Sequence, residues 1–145
     1  KKIKNQIIFE DKILKNYNVL TYKKFMKNIL NIKKNLNILL IRLSKKNKIF
    51  GYGAAAKSTT LLNFFNIDSN LISYVADDNR LKIGKIIPGT KIPIIKSDHL
   101  KKYNAKIIVI FAWNYAKNII KNCNIILNYK KKFIIPFPKV KNYND

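Results

Sequence analysis

The chain has 145 residues, 48% of them hydrophobic, which suffices for the core of one domain and not of two. Its formal charge of +23 rests on 28 lysines against 2 arginines, and Lys, Asn and Ile make up 74 residues, the signature of AT-rich codons, so the charge argues for anionic ligands in general and against nucleic acid as the partner. Lone Cys123 and His99 leave no disulfide framework and no plausible metal set, and no apolar run approaches the roughly 20 residues of a membrane span.

The opening "KKIKNQIIFEDK" has neither a clear period nor the apolar core of a signal peptide, so a soluble cytoplasmic protein is expected. From Thr21, a candidate N-cap, the stripe Tyr22, Phe25, Ile29, Ile32, Leu36, Leu39 and Leu43 predicts a long amphipathic helix ending in "SKKNK". The pattern then alternates. "KIFGYG" predicts a strand and tight turn, "AAKSTTLLNFF" a helix burying Leu61, Leu62 and Phe65, and "LISYVADDN" a strand ending in two carboxylates. "KIIPGTKIPII" predicts a turn and an edge element near residues 92–95, and "SDHLKKY" a short helix capped by Ser97. "AKIIVIFAW" is a buried strand, "NYAKNIIKNCNIILNY" a helix with Ile119, Ile120, Cys123, Ile126 and Leu127 inward, and "KKFIIPFP" a last strand. These elements predict an α/β, Rossmann-like fold with a mainly parallel sheet and helices on both faces. The expected organisation is an N-terminal segment and connecting helix over 1–47, then the Rossmann-like domain over 48–145.

Gly51-x-Gly53-x-x-Ala56 fits the spacing of the dinucleotide fingerprint and lies between a strand and a helix. On that reading Gly51 permits the turn, Gly53 admits a phosphate and Ala56 allows close packing, while the helix N-terminus offers unpaired N–H groups to an anion. Asp77 and Asp78 follow Gly53 by 24 and 25 residues, near where such folds set a carboxylate against a ribose. The plain alternative is a tight turn that merely favours small residues.

The blocks "GYGAAAKSTTLLNFFNID", "ISYVADDNRLKIGKIIPGTKIPI", "IVIFAWNYAKNII" and "KKFIIPFPKV" occur in that order from about Phe50 to Val140. In this respect the chain resembles the C-terminal domain of the three-domain, S-adenosylmethionine-dependent sugar C-methyltransferases. The resemblance implies a Rossmann-like domain that positions a nucleotide-linked keto-sugar, such as a dTDP-sugar. It implies that S-adenosylmethionine is bound by a separate domain, in cis or in trans, preceded by a small zinc-binding domain, and that no cofactor is held here. No catalytic residue is carried over, so this chain is expected to form part of a transferase and not to transfer methyl groups unaided. Two positions depart from the family: Ser58 stands where glycine is usual, and Asp78-Asn79-Arg80 replaces Arg-Asn-Pro.

The candidate ligand-binding set is Gly51, Tyr52, Gly53, Ala54, Ala55, Lys57, Ser58, Thr59, Asp77, Asn79, Thr90, Trp113 and Asn114. Lys57 reads as a diphosphate contact or as solvated surface, and the hydroxyls of Ser58 to Thr60 as phosphate donors or helix-end partners. Asp77 reads as a ribose contact or a turn former, Trp113 as a stacking platform or a core cover, and Asn114 as a site residue or a cap. Pro88-Gly89-Thr90 is a tight turn with optional sugar contact; His99 is an exposed bystander and Cys123 core. A small NAD(P)-type dinucleotide-binding module and a non-catalytic interaction scaffold remain as alternatives.

Overall fold

A computed structural model describes residues 2–15 and 19–144. Among these residues thirteen elements follow in chain order, the ten that matter most being helices α1 (Lys2–Lys15), α2 (Val19–Ser44), α3 (Ala56–Phe65), α4 (His99–Lys102) and α5 (Ala116–Ile126) and strands β1 (Ile49–Tyr52), β2 (Tyr74–Ala76), β4 (Ile92–Ile95), β5 (Ile107–Ile110) and β6 (Lys132–Ile135). Two short strands, β3 (Ile86–Ile87) and β7 (Lys141–Asn144), and a 3-10 turn at Trp113–Tyr115 complete the chain. The seven strands form one sheet in the order β3-β4-β2-β1-β5-β6-β7. The five central strands run parallel, and β3 and β7 close the edges antiparallel.

Burial explains the layers. Successive strand residues point to opposite faces, and the core divides accordingly. Ile49, Val75, Ile107, Val109 and Ile134 pack with Leu36 and Leu40 of α2 and with Leu61, Leu62 and Phe65 of α3. Phe50, Tyr52, Ile108, Ile110 and Phe133 pack on the other face with Leu100 of α4 and Ile119 and Cys123 of α5. A sheet covered on both faces needs strands that are apolar throughout, and β1 and β5 are buried at every residue. The α/β expectation and the leading long helix are both found.

Helix α2 is tied to α3 by more than leucines. Lys33 Nζ donates to the carbonyl of Phe64 (2.7 Å) and Asn37 Nδ2 to that of Phe65 (2.9 Å), satisfying carbonyls that the end of α3 leaves without helical partners. The helix α3 stops at Asn66 in the left-handed conformation (φ 57°), with the Ile67 N–H closing back on Leu62 O at 2.9 Å.

Several expectations are corrected. The opening residues form a helix, α1, although its described apolar side chains, Ile3, Ile7, Ile8 and Phe9, are exposed. Apolar side chains left exposed are under no pressure to share one face. Thr21 is no N-cap, since α2 already runs from Val19; residues 16–18 lie outside the described set. Ser97 does not cap α4: Asp98 holds that position, and the buried Ser97 hydroxyl donates instead to the Asp78 carboxylate. The last expected strand is followed by one more, β7, pairing back on β6.

Candidate functional site

The strand order reverses at β1: the chain leaves it for β2 on one side and returns to β5 on the other. Open parallel sheets bind ligands outside the C-terminal ends of strands at such a switch point. Here a crevice of about 240 Å³ opens there, with Ala55, Ala56 and Lys57 on one wall and Ala112, Trp113 and Asn114 on the other. Four members of the sequence-derived set, Ala55, Lys57, Trp113 and Asn114, therefore meet although some 55 residues separate them in the chain.

The turn is held by its own backbone. Gly53, at φ 97°, occupies the region that side chains avoid, and a Cβ there would lie 2.7 Å from Ala112 Cβ. Its N–H bonds Ala76 O at 2.8 Å. Gly51, expected to make the turn, is instead inside β1, where a Cβ would stand 2.6 Å from the Phe111 ring and 2.7 Å from Val75. It is glycine because an aromatic ring crosses the strand there, and the turning falls to Gly53.

The first turn of α3 is only partly open to a ligand. Ser58 is fully buried, its hydroxyl donating to Gly53 O while accepting from the Ala55 N–H at 3.1 Å. That inward bond removes Ser58 from the ligand surface. The Thr59 and Thr60 hydroxyls fold back toward Ala55 O (3.5 Å) and Ala56 O (3.1 Å). The amides of Ala56 and Lys57, at the helix start, have no intrahelical acceptor and face the positive dipole end. Lys57 is exposed; its Nζ stands 5.6 Å from the centre of the Trp113 indole. Among the described residues no carboxylate lies in ion-pair range of it.

The carboxylates are committed elsewhere. Asp77 Oδ2 accepts the Ala54 N–H at 2.7 Å and Oδ1 the Asn79 N–H at 2.9 Å, with Lys82 Nζ at 3.5 Å. Asn79 Oδ1 in turn accepts the Leu81 N–H at 2.9 Å, closing an Asx turn. Asp78 receives the Tyr52 hydroxyl at 2.7 Å and that of Ser97. Burial, then the bond to Asp78, pushes the Tyr52 hydroxyl far above the usual phenol range. Tyr52 and Asp77 thus lock the ends of β1 and β2, and neither faces the crevice walls.

Thr90 is moved out of the site altogether. It precedes β4, so it lies at the opposite edge of the parallel sheet, buried, its hydroxyl donating to Ile87 O at 2.9 Å and accepting from the Ile92 N–H at 3.2 Å. Conversely, Phe137 belongs near the site and was not singled out. It follows β6, the neighbour of β5, and its ring sits 5.3 Å from Trp113. The signal available was an aromatic just past a strand end. His99 is exposed against Tyr103, and burial pushes the Cys123 thiol up to about 11. Among the described residues no group of three or more His, Cys, Asp or Glu could hold a metal, and no helix is long and apolar enough to cross a membrane.

The chain is similar to known proteins. The chain is 35% identical over 91 residues to the C-methyltransferase NovU of Streptomyces niveus, an alignment covering 63% of this chain and 22% of that relative. The chain thus corresponds to well under half the length of the relative it matches. Residues 2–138, from α1 to just past β6, match the family described as the C-methyltransferase C-terminal domain. With its sheet, turn and strand-end residues in that order, this chain belongs to the C-methyltransferase C-terminal domain family.

Proposed function

We propose that this domain holds a nucleotide-linked keto-sugar for a C-methyltransferase whose S-adenosylmethionine-binding part lies elsewhere, in cis or in trans. The observation that carries the reading is the convergence of Lys57, the open amides of α3 and Trp113 on one crevice at the switch point. A diphosphate would take the N-terminal end of α3 and the Lys57 ammonium. Trp113, backed by Phe137, offers an aromatic face to the base or sugar, and the exposed Asn114 a hydrogen-bonding edge. Lys57 over the indole is a resting place that an anion would compete for.

The role is positioning. A reaction of this type removes a proton beside a ketone and methylates the carbanion, and it gains from holding the two reactants in register. No group of this chain is assigned a proton-transfer step. A nucleotide-linked substrate would be met in the cytoplasm.

A dinucleotide module is less well supported. The amide of Ala54, just past the second glycine, is where a pyrophosphate would seek a donor, and Asp77 Oδ2 already accepts it at 2.7 Å. A carboxylate there repels the phosphate as well as taking its partner.

Thermal-shift titrations with dTDP, a dTDP-sugar, S-adenosylmethionine and NAD at two salt concentrations test the reading. A ligand of the folded state at 100 times its Kd stabilises by about 2.7 kcal/mol, a shift of several degrees. Stabilisation by the dTDP compounds, surviving moderate salt and lost in Lys57→Ala, is expected. Stabilisation by NAD alone would overturn the reading, and equal, salt-erased shifts from every anion would reduce the site to bulk lysine charge.

A further inference from the structure

Trp113 borders three cavities. Its indole lines the switch-point crevice, an apolar groove of about 410 Å³ against α3 and a cleft of about 510 Å³ against the start of α5. The groove and the cleft lie over opposite faces of the sheet. Leu61 and Phe65 of the groove belong to the core on the α3 face, whereas Ala116 and Ile135 of the cleft belong to the core on the α5 face. The crevice between them, at about 240 Å³, is smaller than the roughly 300 Å³ at which cavities begin to enclose a drug-sized ligand. A nucleotide-linked sugar centred on it must therefore extend outward. Such a ligand has two arms on one diphosphate, and the crevice has an exit over each face.

We infer that the nucleoside arm occupies the cleft between the start of α5 and β7, and that the sugar arm turns the other way, over the α3 groove. The assignment rests on the reading of the crevice as a diphosphate site. Two contrasts select it. The first is chemical. The cleft carries tyrosines with open faces, Tyr115 being 67% and Tyr143 43% exposed, beside the exposed amides of Asn114 and Asn118. A planar base finds there rings to stack on and both donors and acceptors for its edge. Lys117 and Lys141 add donors for base carbonyls or ribose oxygens, and among the described residues no carboxylate lines the cleft. The groove, by contrast, has Lys57 and Thr60 as its polar side chains besides the indole, and the Thr60 hydroxyl already donates to Ala56 O at 3.1 Å. The second contrast lies in what the reaction demands. The nucleoside is unchanged by methylation and needs a fixed seat, which α5 and the paired strands β6 and β7 supply. The ketone has to be met by groups outside this chain, so its arm belongs over the more open groove.

The test maps the amide chemical shifts of the isotope-labelled chain against inorganic pyrophosphate, dTDP and dTDP-glucose. Pyrophosphate is expected to move the amides of residues 55–58, dTDP to add those of 114–118 and 141–143, and the hexose of dTDP-glucose to add those of 60–64. Tyr115→Ala and Tyr143→Ala, at exposed rings, are expected to raise the Kd for dTDP at least about fivefold and that for pyrophosphate less than about twofold. Phe64→Ala, at a ring 44% exposed in the groove, is expected to leave the Kd for dTDP within about twofold. Shifts specific to dTDP that fall on residues 60–64 and spare the cleft would overturn the assignment, as would an unchanged dTDP affinity in both tyrosine variants. Where dTDP binds and the cleft stays silent, the assignment alone falls. Where dTDP binds no more tightly than pyrophosphate, the reading of the crevice as a nucleotide-sugar site falls with it.

Discussion

The turn at Gly53 and the turn at Gly89 are made from the same materials and stand at opposite ends of one helix. Both glycines adopt positive φ, 97° and 78°, and both turns are followed by hydroxyl residues. Gly53 leads into the N-terminus of α3, where amides lack partners and the dipole favours anions. Gly89 lies against the other end: Asn63 near the C-terminus of α3 donates to Pro88 O at 3.0 Å and to Thr59 O at 2.8 Å. A Cβ on Gly89 would fall 2.1 Å from Asn63 Oδ1. One turn is thus open beside a crevice and the other is plugged. Helix polarity, together with sheet polarity, decides which glycine turn can receive a phosphate; residue composition does not.

This contrast can be broken most severely at the strand beside the first turn. Gly51→Val would drive a side chain into Phe111 and Val75 and should cost about 3 kcal/mol or more in urea unfolding. Alkaline pH is expected to act next, on the opposite face of the sheet. Burial holds the Cys123 thiol up to about 11 and raises the Tyr52 hydroxyl, so both stay neutral when folded. The unfolded chain releases these protons first, and the stability they contribute is whole below about pH 9 and lost as pH rises through the folded values. For the thiol this amounts to about 2–3 kcal/mol, and Cys123→Ala should flatten that part of a urea-midpoint profile against pH.

Asp77→Ala should cost about 2 kcal/mol, because it leaves the Ala54 and Asn79 amides without their carboxylate. If Asp77 also repels pyrophosphate, the variant should gain a small NAD-dependent thermal shift; no gain would show that the turn is closed by more than charge. The smallest effect is expected at the plugged turn. Gly89→Ala meets only the end of a flexible Asn63 side chain and an unfavourable φ, and should cost about 1–2 kcal/mol while leaving dTDP-dependent shifts unchanged. A ligand shift lost in Gly89→Ala would erase the distinction between the two ends of α3.

Most elements were legible because burial writes periodicity into the chain. "AKIIVIFAW" could only be a strand covered on both faces, and the spacing of Leu61, Leu62 and Phe65 only one side of a helix. Pattern and burial do not always coincide: α1 shows no clear period, whereas the stripe through the exposed Tyr22 and Phe25 reads the same as the one through Leu36, although only the latter reaches the core. Within the candidate site, Lys57, Trp113 and Asn114 could be named from their places after strands. The commitments of Asp77, Ser58 and Thr90 could not, because each depends on a bond to a group that local pattern does not specify.

By itself the sequence determined the alternation of strands and helices, the small-residue turn after β1 and the blocks of the C-methyltransferase C-terminal domain family, since these depend on near neighbours and apolar period. Only the tertiary structure decided that Gly51 makes room for Phe111, that Thr90 lies at the far edge of the sheet, and that Asp77 accepts the Ala54 N–H beside Gly53. Those outcomes follow from strand order. The crossover from β4 back past β2 and β1 to β5 brings residues about 55 positions apart into contact, and no local period encodes which ends will meet.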